Sequence, residues 1–152
     1  MLTPRDPDFE TRVRASFARQ QFMTLLGAQL ERVAAGDVCI RLPYRAALTQ
    51  QHGFLHAGAV TTVVDSACGY AALTLMEPGA AVLSVEFKVN LLAPARGREF
   101  VAVGRVVRAG RTLTVCTGEV RALPDGEGDD DVTVAIMQAT IMAVRERGGL
   151  SD

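Results

Sequence analysis

Residues 58–76, GAVTTVVDSACGYAALTLM, constrain the fold more than any other part of the chain. Gly53 and Gly58 bracket the start and Pro78-Gly79 closes it, which predicts a helix of about five turns. It is small or apolar on nearly every side, so it is a helix that the rest of the protein encloses. From Ala81 the period switches to two. In VLSVEFKVNLL, Leu83, Val85, Phe87, Val89 and Leu91 fall on one face and Ser84, Glu86, Lys88 and Asn90 on the other, as in a half-buried antiparallel strand. EFVAVGRVVRAGRTLTVCTGEVRAL gives two more strands turning at Ala109-Gly110, and DVTVAIMQATIMAV a last one after the acidic PDGEGDDD. That acidic segment reads as a solvated hairpin loop without the ligand spacing of a calcium loop.

Upstream, residues 29–33 and 38–42 read as a hairpin. Residues 8–26 read as an amphipathic helix with Asp8 as its cap, Phe9, Val13 and Phe17 at i+4 spacing, and Gly27 where a left-handed residue ends it. The expected class is α+β: a long central helix wrapped by one curved antiparallel sheet, with an N-terminal helix. No repeat or linker divides residues 1–152, and the core is expected over about 28–145.

Composition excludes several function classes. With 16 Lys and Arg against 17 Asp and Glu, the net charge of −1 leaves no electrostatic footprint for nucleic acid or an acidic membrane. Cys39, Cys68 and Cys116 are odd in number and set in apolar runs, which argues for reduced thiols rather than a disulfide framework or a zinc site, and no metal or other cofactor is expected. The first residues, MLTPRDPDFETRVR, lack the apolar core of a secretion signal, so a cytoplasmic protein is the expectation. At 49% hydrophobic residues the chain favours a subunit that hides surface in an oligomer.

Within the apolar helix stands one acid, Asp65, and between Arg45 and Lys88 there is no Lys or Arg to offer it a countercharge. Burial would raise its pKa and make it a better base than an exposed Asp; hydrogen bonds from Ser or Thr, or a distant Arg, are the structural alternatives. His56, just before the helix, can donate to a ligand carbonyl or hold a loop in place. At Ala57 and Gly58 the first N–H groups of the helix lack internal partners and can stabilise an oxyanion, while a tight turn needing Gly is an equal alternative. Nine residues of helix would set His56 and Asp65 about 13 Å apart and on opposite sides. They cannot form a dyad within one chain.

Three segments in order, QQHGFLHAGAVTTVVDSACGYAA, LSVEFKVNLLAPARG and VVRAGRTLTVCTGEV, closely resemble the hotdog-fold acyl-CoA thioesterases, particularly the phenylacetyl-CoA thioesterase-like subgroup, across about residues 22–145. The subgroup pattern is a His followed by two Gly, with an acid nine residues after the His; His56 and Asp65 match it and Ala57 replaces the first Gly. The resemblance implies that Asp65 is general base or nucleophile and that Ala57 is the oxyanion donor through its N–H. It also implies that Gln50, where relatives often carry Asn, contacts the thioester or the water, and that Ser84 assists the water. It further implies a homodimer, with His56 and Ala57 from one subunit facing Asp65 and Ser84 of the other, paired into a tetramer. Strict alternation puts Ser84 on the polar face, so a bulge or an intersubunit cleft is needed to reconcile it.

For the substrate, Gly58 allows close approach of the carbonyl. Among Arg96, Arg98, Arg108 and Arg111, the resemblance favours Arg111, after Gly110, for the CoA phosphates. Phe54, Tyr70, Leu73 and Phe87 are candidates for the acyl pocket. Two other readings stand beside hydrolysis: a hotdog domain that binds acyl-CoA without cleaving it, which has no need of Asp65, and a hotdog enoyl-CoA hydratase or dehydratase, which pairs His and acid differently.

Overall fold

A computed structural model describes residues 2–124, 126 and 130–145; the rest of the acidic loop and the last residues lie outside this range. The elements are α1 (Phe9–Arg19), α2 (Gln21–Leu26), β1 (Gln29–Ala34), β2 (Asp37–Pro43), a 3-10 turn at Ala46–Leu48, α3 (Ala57–Leu73), β3 (Ala81–Leu91), β4 (Glu99–Ala109), β5 (Leu113–Leu123) and β6 (Val132–Val144). The strands form one six-stranded antiparallel sheet in the order β1-β2-β4-β5-β6-β3, wrapped around α3.

The enclosed helix is as the apolar pattern predicts, with Val63, Val64, Ala67, Cys68, Ala71 and Leu73 without solvent contact. It lies directly on the backbone of the sheet. Gly104 and Gly118 face each other across β4 and β5. A Cβ on Gly104 would sit 2.3 Å from the Ala67 carbonyl carbon, and one on Gly118 would sit 2.4 Å from Val64 Cγ2. Any side chain at these points would lift the helix off the strands.

The predicted N-terminal helix is two helices. Gln20 is extended (φ −78°, ψ 94°) and separates α1 from α2. A straight helix would carry Leu26 about 140° round from Val13, and the break returns it to the core beside Met23. Asp8 makes no side-chain cap; the Asp6 carboxylate instead accepts from the Asp8 N–H at 2.9 Å. Gly27 is left-handed (φ 75°), as its position predicts.

α3 stops at Leu73, three residues before the expected end. A cation from another helix holds this end: the Arg12 guanidinium donates to the carbonyl of Leu73, the last helical residue, at 3.0 Å, and to those of Met76 and Glu77 just past it at 2.9 and 2.5 Å. Asp6 holds the same guanidinium at 3.3 Å in a buried pair. α1 is therefore bolted to the negative end of the α3 dipole.

The strand β3 departs from strict alternation. Its pairing with β6 shifts between Ser84 and Glu86, so that Val85 is an extra residue. Before the bulge Val82 and Ser84 oppose Ala143 and Ile141; after it Phe87, Val89 and Leu91 oppose Ala139, Met137 and Ala135. All five β6 partners are buried, so Ser84 shares the helix-facing side with Phe87 and Leu83 faces outward. β3 is an edge strand, and Leu83, Val85, Phe87 and Leu91 are each more than 40% exposed in the single chain, which corrects the expectation of a half-buried strand.

Replacing Gly104 by Ala is expected to lower the melting temperature by several degrees, from overpacking of about 1–3 kcal/mol at roughly 2–4 °C per kcal/mol for a chain of this size. Thermal unfolding followed by circular dichroism checks it. An unchanged melting temperature would mean that α3 does not rest on these strands.

Candidate active site

Asp65 sits midway along α3 where β3 crosses, and is partly buried. The Ser84 hydroxyl donates to Asp65 Oδ1 at 2.7 Å. That contact exists because the Val85 bulge turns Ser84 inward. Burial pushes the Asp65 pKa above its ordinary value, and the Ser84 hydrogen bond works against this without reversing it. Among the described residues no cation pairs with Asp65, as the absence of Lys and Arg around it suggests. A cleft of about 280 Å³ opens beside it, lined by Gln20, Asp65, Tyr70, Val82 and Ser84 among others.

A second cleft, of about 260 Å³, lies at the N-terminus of α3 and is lined by Gln50, Phe54, Ala57, Val60 and Leu91. His56 is the N-cap of the helix, with Nδ1 accepting from the Gly58 N–H at 2.8 Å. With Nδ1 as acceptor, the neutral ring carries its proton on Nε2. The Gly58 N–H is thereby spent, and the N–H groups of Ala59 and Val60 go to the His56 carbonyl. Among the described residues the Ala57 N–H has no partner, so of the two candidate donors Ala57 and Gly58 only Ala57 has an N–H available. Gly58 matters for room: a Cβ there would stand 3.0 Å from His56 Nδ1. Gln50 Oε1 accepts from the His52 N–H, which leaves the Gln50 Nε2 as a donor toward the cleft.

The remaining candidates separate. Phe54 lines the second cleft and a larger neighbouring one, with the Arg96 guanidinium 5.4 Å above its ring. Gly110 closes the β4–β5 turn, where a Cβ would stand 2.5 Å from the Leu113 carbonyl oxygen, and the Arg111 carbonyl accepts from Arg145. Leu113 lies across β6 from Leu83, so Arg111 stands at the Asp65 end of the sheet and Phe54 at the other, beyond Leu91. Of the other pocket candidates, Tyr70 lines the Asp65 cleft, Phe87 is exposed on the edge strand, and Leu73 is corrected to a core residue without exposure. Gln20, hidden inside an apparently continuous helix pattern, was not visible as a site residue.

The three cysteines are free and buried. Burial raises the thiol of Cys39 to about 11 and that of Cys116 to about 12, far from reactive thiolates. Among the described residues no cluster of His, Cys, Asp and Glu could hold a metal, and no helix is long and apolar enough to cross a membrane.

The family model for the thioesterase superfamily matches residues 52–128. The chain is similar to human acyl-coenzyme A thioesterase 13, at 30% identity over 66% of this chain and 73% of that protein. The crystal structure of a thioesterase family protein from Silicibacter pomeroyi superposes with a TM-score of 0.87 at 54% identity, covering 90% of this chain and 98% of that one. The E. coli PaaI protein from the phenylacetic acid degradation operon shares the fold (TM-score 0.78, 17% identity, 90% of this chain and 94% of that one).

A raised carboxyl pKa costs folded-state stability once the group must ionise. Below about pH 3.9 Asp65 is neutral in folded and unfolded chains alike, and the cost appears as the pH rises above that value. Asp65→Asn is therefore expected to melt higher than the wild type at neutral pH, the difference vanishing below about pH 4. Thermal melts across that pH range check the sign.

Proposed function

The chain belongs to the thioesterase superfamily, and from that premise we propose that it is an acyl-CoA thioesterase, releasing a free acid and CoA, with each active site shared between two copies. The carrying observation is Asp65: a partly buried carboxylate of raised pKa, with Oδ1 held by Ser84 and, among the described residues, no cation paired with it. Its other oxygen takes a proton from water, which attacks the thioester carbonyl; in the second route the carboxylate attacks directly and expels the thiolate, leaving a mixed anhydride that water then hydrolyses to the same products. The tetrahedral oxyanion is met by the Ala57 N–H at a helix N-terminus and by Gln50 Nε2. As the tetrahedral intermediate collapses the C–S bond breaks, and the thiolate takes up the proton that Asp65 drew from the water.

The two clefts support a shared site. Ala57 is eight residues before Asp65 on α3, about 12 Å along the axis, and lines the other cleft. β3 is an eleven-residue unpaired edge carrying exposed Leu83, Val85, Phe87 and Leu91, a surface that invites pairing. Antiparallel pairing of β3 with β3 of a second copy sets the Leu91 end of one chain beside the Leu83 end of the other. Leu91 lines the Ala57 cleft and Leu83 the Asp65 cleft, so that pairing completes two sites at once.

Purified protein with a panel of acyl-CoAs is expected to release thiol, and Asp65→Asn to lower kcat by about 10²–10⁴. Ser84→Ala removes the hydrogen bond that holds the Asp65 pKa down, so the acid limb of its pH–rate profile should move to higher pH. Refolding Asp65→Asn together with Gln50→Ala should restore activity that neither variant has alone, because mixed dimers contain one intact site. Tight acyl-CoA binding without thiol release would favour a binding domain, and addition of water to an enoyl-CoA a hydratase.

A further inference from the structure

The outward side of the edge strand β3 carries two charges that face no counterion within the chain. Glu86 and Lys88 are both exposed and stand two residues apart, just past the Val85 bulge. On the covered edge of the strand, Thr140 of β6 lies opposite Glu86 and Gln138 opposite Lys88. The Thr140 hydroxyl donates to the Glu86 carboxylate at 3.4 Å, and among the described residues no acid pairs with Lys88. A lysine alone on a free edge discourages pairing with another strand. A glutamate two residues before it, on the same side, makes the edge complementary to itself in one alignment.

Two copies of β3 related by a two-fold axis pair antiparallel. Because side chains past the bulge alternate, only registers that differ by two residues keep the same side outward. Three such registers retain most of the strand, Ala81–Leu91. Centred on Glu86, the pairing sets Glu86 against Glu86 of the second copy; centred on Lys88, it sets Lys88 against Lys88. Both place like charges directly opposite, which is destabilising. Centred on Phe87, it sets Lys88 of each copy against Glu86 of the other, twice.

The register centred on Phe87 also sets Leu83 of one copy against Leu91 of the other. Leu83 lines the Asp65 cleft and Leu91 the Ala57 cleft, so the alignment that the charges select is the one that joins the two clefts. A slip of two residues would carry one copy about 7 Å along the other. That is more than twice the length of a hydrogen bond and takes an oxyanion donor out of reach.

We infer that Glu86 and Lys88 fix the register at which two copies of this chain join through β3, as two reciprocal Lys88–Glu86 pairs centred on Phe87, and thereby set Ala57 of one copy against Asp65 of the other. This register presupposes the shared site proposed above and supplies the residues that align it.

Cysteine pairs read the register without substrate, since the native Cys39, Cys68 and Cys116 are buried. Under diamide, Glu86→Cys refolded together with Lys88→Cys is expected to give a disulfide-linked dimer, while either variant alone stays unlinked. Self-linking of either variant marks a slipped register and overturns the inference with β3 pairing intact. Sedimentation gives a second readout. Lys88→Glu and Glu86→Lys are each expected to raise the dimer dissociation constant about tenfold, and the double exchange Glu86→Lys/Lys88→Glu to bring it back close to the wild-type value. No link in the mixture, or no recovery in the double exchange, overturns the inference as well. A monomeric wild type overturns β3 pairing and the register together. A dimer that links as expected yet releases thiol from no acyl-CoA overturns the thioesterase reading and leaves the register standing.

Discussion

The close approach of α3 to the β4–β5 pair governs the rest of the molecule. Two glycines opposite one another let Ala67, Cys68 and Val64 rest on strand backbone, leaving no space for a side chain between helix and sheet. A helix so placed is covered by β4 and β5 beneath it and flanked by β2, β6 and β3. The side toward the edge strand β3 retains a polar opening, the cleft lined by Asp65, Ser66 and Ser84. Asp65 stands on that side. The same packing that makes the helix apolar all round also strips water from the one carboxylate it carries.

Both ends of this helix are finished by residues that sequence rules would not nominate. At the N-terminus a histidine takes the capping place usually held by Ser, Thr, Asp or Asn, and in doing so spends the Gly58 N–H and leaves that of Ala57 open. At the C-terminus Arg12 reaches across from α1 to three carbonyls. Its partner Asp6 is buried with it, so the guanidinium is held as a fixed charge at the negative end of the dipole. A consequence is that α1, and with it the Gln20 break, is tied to the body of the fold beside the Asp65 cleft rather than laid loosely over it.

How much of this was legible in the sequence depends on the reach of each interaction. The enclosed helix, the hairpin of β1 and β2, the left-handed Gly27 and the later strands follow from local periodicity and turn residues, and the structure has them. The separation of His56 from Asp65 followed from helix geometry alone. What escaped depends on contacts far along the chain. The bulge at Val85 is set by pairing with β6, more than fifty residues on, and moving the phase of β3 by one residue is what carries Ser84 to Asp65. The break at Gln20 answers to where Met23 and Leu26 must be buried, which no local pattern states. Gly110 and Arg111 read alike with the site in sequence, yet the turn explains Gly110 by itself.

The distribution of cations completes the electrostatic design. An arginine beside Asp65 would hold its carboxylate well ionised and weaken it as a base, so basicity requires that positive charge be kept off this stretch of helix. The chain has none between Arg45 and Lys88, and two guanidinium groups past the C-terminal end of α3 are already engaged: Arg12 on the Leu73, Met76 and Glu77 carbonyls and on Asp6, and Arg145 on Glu77. Ser84 is then the partner that fits the task. A neutral hydroxyl fixes one carboxylate oxygen in place and lowers the pKa only partly, whereas a cation would lower it fully. Orientation and basicity would conflict if one charged group supplied both. Here the bulged strand supplies the first and the dry helix face the second.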